Sequence, residues 1–205
     1  MHTANTNTHT FYRNGVTAQG LISFPLVVQE TDLLITAETP LVEEATASLL
    51  HYRFHLEDYI RNHPAFLSSL VPLLFDACAP PIIQEMMRAS QATQVGPMAS
   101  VAGAIAEHVG RDLLHHTSQI IVENGGDIFL KVAREVTIGI YAGRSPLSNK
   151  LGLKIPPEVT PLGVCTSSGT VGHSLSFGIA DAVTVVSSTT ALADAAATAL
   201  GNRIR

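Results

Sequence analysis

The sequence predicts an α+β domain, a layered α/β arrangement with a mixed sheet and packed helices, and three observations carry that prediction. Two apolar runs near the N-terminus read as strands, three central stretches have helical periodicity, and after His116 short apolar runs separated by turn residues lead to one last helix. Composition agrees with a well-packed core. Only 14% of the 205 residues are charged, 46% are hydrophobic and the mean hydropathy is +0.26, which excludes disorder for the body of the chain.

The first ten residues are almost wholly Thr, Asn and His and have nothing to bury, so residues 1–10 are expected as a disordered arm and 11–205 as a single domain. Residues 26–28 and 33–35 are apolar runs separated by Gln29-Glu30-Thr31-Asp32, a pattern of a hairpin or a bent strand, and Pro25 favours an edge or a bulge. Thr39-Pro40 followed by Glu43 and Glu44 marks a helix start, and a helix is expected from about 40 to 62. Its buried face would carry Val42, Ala45, Leu49, Tyr52, Leu56 and Ile60. His51 and His55 lie one turn apart there without an evident third ligand.

Asn62-His63-Pro64 ends that helix, and the Pro-broken apolar stretch that follows reads as irregular or short-stranded. A second helix is expected over 81–92, with Ile82, Ile83, Met86, Met87 and Ala89 inward. A third opens after Gly96-Pro97, with small residues Ala99, Gly103, Ala106 and Gly110 in a stripe. That stripe suits either tight packing or an exposed helix start that leaves room for a ligand phosphate. Strands follow over 120–123, 127–132 and 136–141, the first two joined by the strong hairpin signal Asn124-Gly125-Gly126, then over 151–155, 163–167 and 182–186; a final helix spans 189–201.

A net charge of −5 argues against a broad nucleic-acid surface. No apolar run reaches the roughly 18 residues of a membrane span and the start is polar, so the expectation is a cytoplasmic protein with no membrane partner. Cys78 and Cys165 are too few for a disulfide framework and read as small buried apolar residues. Low charge and high apolar content favour a homodimer.

Three polar segments stand out as candidates for one site. Glu123-Asn124-Gly125-Gly126-Asp127 lets a ligand approach the backbone, and equally makes a hairpin turn. Cys165-Thr166-Ser167-Ser168-Gly169-Thr170 with His173 offers hydroxyls and amides for an anion, or a solvated turn, or a serine–histidine hydrolase pair without the usual nucleophile motif. Asp194 and Thr198 share a face of the last helix, an oxygen pair suited to Mg²⁺ or to local helix roles.

Read in order, these segments resemble the ApbE superfamily of flavin transferases, and more closely an uncharacterised ApbE-related prokaryotic family. The matching stretches are Gly96-Pro97-Met98-Ala99-Ser100, the Asn124-Gly125-Gly126-Asp127 turn, Thr166-Ser167-Ser168-Gly169, His173, Val183-Thr184-Val185-Val186 and Ala193-Asp194-Ala195-Ala196-Ala197-Thr198-Ala199-Leu200. The resemblance implies that FAD binds across Ala99, Ser100, Asn124, Gly125, Gly126, Asp127, Thr166, Ser167, Ser168 and Gly169. It implies Mg²⁺ on Asp194, Thr198 and the carbonyl of Ala99, with His173 and Asp194 as the catalytic pair. The implied reaction passes FMN to a threonine of an acceptor protein and releases AMP. Two departures favour binding over transfer. Ser100 stands where the family has a lysine, and an Asp-Pro-x-Thr-Gly stretch is absent after His173.

Overall fold

The computed structural model describes residues 20–171 and 177–205. Among these described residues, eight strands and five α-helices are arranged as a six-stranded sheet with helices over one face and a separate two-stranded hairpin over the other.

β1 (Ile22–Val28) and β2 (Thr31–Ala37) form the expected hairpin, turning through Gln29 and Glu30 with Val28 opposite Thr31. Arg53 holds this turn, donating to Thr31 Oγ1 at 2.6 Å and to Glu30 at 2.9 Å. β1 is an edge strand, which is where Pro25 costs no ladder bond. The sheet then runs β2, β3 (Ile120–Asn124), β4 (Asp127–Lys131), β7 (Leu162–Ser167) and β8 (Val183–Ser187). Every ladder is antiparallel, so the sheet is simpler than the mixed one expected. The α+β class holds: the helices α1–α4 are gathered in one block between β2 and β3 and the last helix follows β8, rather than alternating with the strands.

α1 (Val42–Asn62) has the predicted extent, although Thr39 makes no side-chain cap and Val42 lies outside the buried face. α2 (Ala65–Ser68) is a single turn that buries Phe66. α3 (Pro81–Thr93) buries Ile82, Ile83, Met86, Met87 and Ala89 as the spacing requires. The third predicted helix begins instead with a 3₁₀ turn, Pro97–Ser100, and becomes α4 at Val101–Leu113. α5 (Thr190–Gly201) closes the helical layer.

Strand alternation sorts the core into two halves. Leu33, Ile35, Ile120, Val122 and Phe129 face the helices, while Ile121, Ile128, Leu130 and Val164 face the hairpin of β5 (Val136–Gly139) and β6 (Gly152–Ile155). Burial on both faces explains why β3 and β4 read as nearly continuous apolar runs. Cys165 is buried as expected, but Cys78 is exposed, because it follows the irregular segment on the outer surface rather than entering α3. Among the described residues no helix is long and apolar enough to cross a membrane.

Candidate functional site

The first turns of α4 and α5 present backbone amides with no preceding acceptor of their own, and each helix supplies the acceptor for the other. Ser100, at the N-cap position of α4, spends its hydroxyl on the carbonyl of Pro97 at 2.8 Å. The amide of Gly103 therefore donates to Asp194 Oδ2 of α5 at 2.9 Å. Reciprocally, Glu107 of α4, 1% exposed, accepts the amide of Thr190, the first residue of α5, and pairs with Arg111 at 2.6 Å. Such close approach needs glycine. A Cβ on Gly103 would stand 2.6 Å from the carbonyl oxygen of Thr190 and 2.9 Å from Cβ of Asp194. Gly110, further along the same stripe, lies under the ring of Phe129. At these two positions the stripe serves packing.

Asp127 meets this junction from the sheet. The turn Asn124-Gly125-Gly126-Asp127 is the predicted hairpin, with φ of +64° and +107° at the two glycines, a conformation glycine adopts without steric cost. Asn124 Nδ2 donates to the carbonyl of Ala102 at 3.1 Å and so ties the turn to the start of α4. Beside Asp127 the buried thiol of Cys165 donates to the carbonyl of Thr190 at 3.4 Å. Gly126 lies beside Thr166: a Cβ there would be 3.8 Å from the Thr166 carbonyl.

Two carboxyl groups are thus buried close enough to repel. Burial, followed by the neighbouring charge of Asp194, pushes Asp127 well above the usual carboxylate range. Burial pushes Asp194 up to about 7 against the opposing pull of the Gly103 amide. Glu123 adds a smaller repulsion to Asp127, and the thiol of Cys165 is driven up by burial and by both aspartates. Among the described residues no lysine or arginine forms an ion pair with Asp127 or Asp194.

The remaining sequence-predicted residues are spread over α1, the 3₁₀ turn, β7, the loop after it and α5. Ala99 and Thr198 are half-buried, one on the 3₁₀ turn and the other one helical turn beyond Asp194. Ser100 is wholly buried. Thr166 exchanges a hydroxyl bond of 2.9 Å with Thr184 across β7 and β8, and Ser167 is half-buried at the end of β7. Ser168 and Gly169 are committed within their own loop: Ser168 Oγ accepts the amides of Thr170 and Val171, and the Gly169 amide donates to Ala180 at 2.9 Å. His173 lies outside the described residues. The His51 and His55 rings meet edge-on at 4.5 Å.

Glu107 and the coupling of Asp127 to Asp194 were not foreseen. A glutamate four residues before Arg111, in a helix of small residues, was the available signal for the first. A groove of about 510 Å³ between α3, α4 and the start of α5, where Glu85 contacts His108 at 2.8 Å, holds none of the predicted residues.

Comparison with known proteins places this geometry in a family. The family model described as AbpE bacteria matches residues 13–205, and the chain belongs to that family. It is 44% identical over 186 residues to a UPF0280 protein of Methanococcus vannielii, covering 89% of this chain and 75% of the relative. A UPF0280 protein of Methanocaldococcus jannaschii is 45% identical over 183 residues, covering 88% and 74%. Among solved structures, the apo form of the flavinyl transferase ApbE of Pseudomonas stutzeri superposes with a TM-score of 0.50 at 16% identity, covering 88% of this chain and 83% of that one. At that identity the likeness is one of fold.

Proposed function

We propose that this member of the AbpE bacteria family binds a flavin dinucleotide, FAD, together with Mg²⁺ where the 3₁₀ turn, α4, α5 and the Gly125-Gly126 turn meet. The observation that carries the reading is the buried pair Asp127 and Asp194, in which the charge of Asp194 adds to burial in pushing Asp127 up and no Lys or Arg is ion-paired to either among the described residues. A divalent cation would offset that repulsion.

The chemistry of the donor set supports such an ion. Among the described residues no three His, Cys, Asp or Glu side chains form a cage, so the ion would rest on mixed oxygens: the Asp194 carboxylate, the Thr198 hydroxyl and the Ala99 carbonyl. Mg²⁺ accepts such partial sets and completes its shell with water and phosphate oxygens. When bound, it supplies Lewis-acid polarisation of a pyrophosphate. The chain's own part is positional. The Gly103 amide fixes one oxygen of Asp194, Glu107 fixes the start of the helix that carries it, and a Cβ at Gly125 would meet nothing within 4 Å, so a ligand can approach that turn.

Binding without transfer is favoured by one residue. Ser100, where the resembled family has lysine, offers no charge, and its hydroxyl is sealed against Pro97. His173 remains the candidate base for an acceptor hydroxyl. The test is quenching of FAD fluorescence by the purified protein, with Mg²⁺ and with EDTA, for wild type and Asp194→Ala. Saturable quenching that EDTA and the substitution both weaken at least tenfold supports the reading; absence of quenching with Mg²⁺ present refutes it. Release of AMP with a threonine-containing acceptor would overturn the assignment of binding alone.

A further inference from the structure

The fold segregates charge. Residues 131–154, which contain β5, β6 and the loops at their two ends, hold five of the twelve basic residues, Lys131, Arg134, Arg144, Lys150 and Lys154, against Glu135 alone of the seventeen acids. All six side chains are exposed. Lys154 pairs with Glu135 at 3.4 Å, and among the described residues the other four cations form no ion pair. Strand direction divides these four. β4 runs away from the Gly125-Gly126 turn to Lys131, so Lys131 and Arg134 lie at the end of the sheet remote from that turn. The β5–β6 loop, residues 140–151, lies at the near end. A Cβ on Gly143, where φ is +53°, would stand 2.6 Å from Cγ2 of Val171 and 4.0 Å from Oγ1 of Thr170. Those two residues follow β7 at the end where Cys165 pairs with Asp127. The loop is held by its own bonds: the Ile140 amide donates to the Leu151 carbonyl at 3.0 Å, the Asn149 amide to the Ile140 carbonyl at 2.9 Å, and the Ala142 amide to Ser148 Oγ at 3.0 Å.

We propose that Arg144 reaches over the Thr170-Val171 segment and holds a phosphate of an anionic dinucleotide seated at the Asp127–Asp194 junction; the inference rests on the reading of that junction as a dinucleotide site. The need is electrostatic. The junction gathers Asp127, Asp194 and the neighbouring Glu123, and among the described residues neither aspartate pairs with Lys or Arg, so a diphosphate arriving there meets like charge. A divalent ion on Asp194 offsets part of that repulsion, and a cation on the opposite wall serves the phosphate oxygens the ion does not touch. Guanidinium matches phosphate through two parallel N–H donors. Asp181, the acid nearest in this wall's hydrogen bonds, accepts from Thr170 Oγ1 at 2.9 Å and does not pair with Arg144, whose guanidinium stays available. A nucleic-acid backbone is the poorer occupant, because the four unpaired cations are split between the two ends of the hairpin and the whole chain carries −5.

The experiment follows FAD by fluorescence quenching and inorganic pyrophosphate by calorimetry, both with Mg²⁺, using the full chain as wild type, Arg144→Ala, Arg144→Lys and Arg134→Ala. Arg144→Ala should weaken both ligands about tenfold, the size of one charge-assisted hydrogen bond, and should flatten the loss of affinity with added salt. Arg144→Lys should recover part of the loss, and Arg134→Ala, at the remote end, should stay within about twofold of wild type. Arg144 is exposed and unpaired, so its variants should keep the wild-type circular dichroism and melting temperature. FAD binding that Arg144→Ala leaves unchanged overturns the inference while the dinucleotide reading stands. Pyrophosphate binding that depends on Arg144, without any FAD quenching, supports the phosphate contact and removes the flavin. Wild type that binds neither ligand, an Arg134→Ala loss equal to that of Arg144→Ala, or a short single-stranded DNA bound more tightly than FAD would each overturn the proposal.

Discussion

Replacing Asp194 with Asn removes a charge that burial opposes. The carboxyl rises from 3.8 to about 7 on folding, a difference of about three pH units, and at 1.36 kcal/mol each this amounts to about 4 kcal/mol. The sign follows from proton uptake. Between pH 4 and 7 the folded protein holds a proton that the unfolded chain has lost, so stability is full below pH 4 and falls as pH rises through 7. From this group alone the metal-free protein should lose about 2–3 kcal/mol between pH 5 and pH 8, and Asp127 pushes the same way. Asn keeps an oxygen for the Gly103 amide and never ionises. At pH 8 in EDTA, Asp194→Asn should therefore be more stable than wild type by about 2–4 kcal/mol, with less of a gain at pH 5. Urea unfolding of both proteins at the two pH values measures this. Wild-type stability that is level or rising from pH 5 to 8, with no gain at pH 8 from Asn, would refute the claim that these carboxyls are buried against each other.

Two further substitutions test the junction of α4 and α5. Gly103→Ala forces its Cβ onto the Thr190 carbonyl, backbone that cannot step aside; overpacking of about 1–3 kcal/mol should outweigh the better helix propensity of alanine, giving net destabilisation in thermal melts. Glu107→Ala deprives the Thr190 amide of its acceptor and should cost about 1–3 kcal/mol. Arg111, half exposed, recovers water, so a larger loss is not expected.

How much of this was legible before any coordinates differs by element. The extents of α1, α3 and α5, and the Asn124-Gly125-Gly126 hairpin, follow from local patterns: apolar spacing along a face, and a turn whose left-handed positions favour glycine. Ser100 shows the limit. Its position in a motif suggested a ligand contact, but the 3₁₀ turn directs its hydroxyl to the Pro97 carbonyl, a local backbone geometry that composition does not reveal. Cys78 shows another, since its burial depended on where the Pro-broken segment ran.

By itself the sequence determined the class of fold, the elements and the acidic and glycine positions worth watching, because helix and strand periodicity and turn chemistry act over a few residues. Only the tertiary structure decided that Asp194 meets Gly103 across ninety-one positions, that Glu107 returns the contact to Thr190, and that Asp127 and Asp194 share one buried space. Those are consequences of which faces pack together, and burial and repulsion between groups distant along the chain exist only once packing has brought them near.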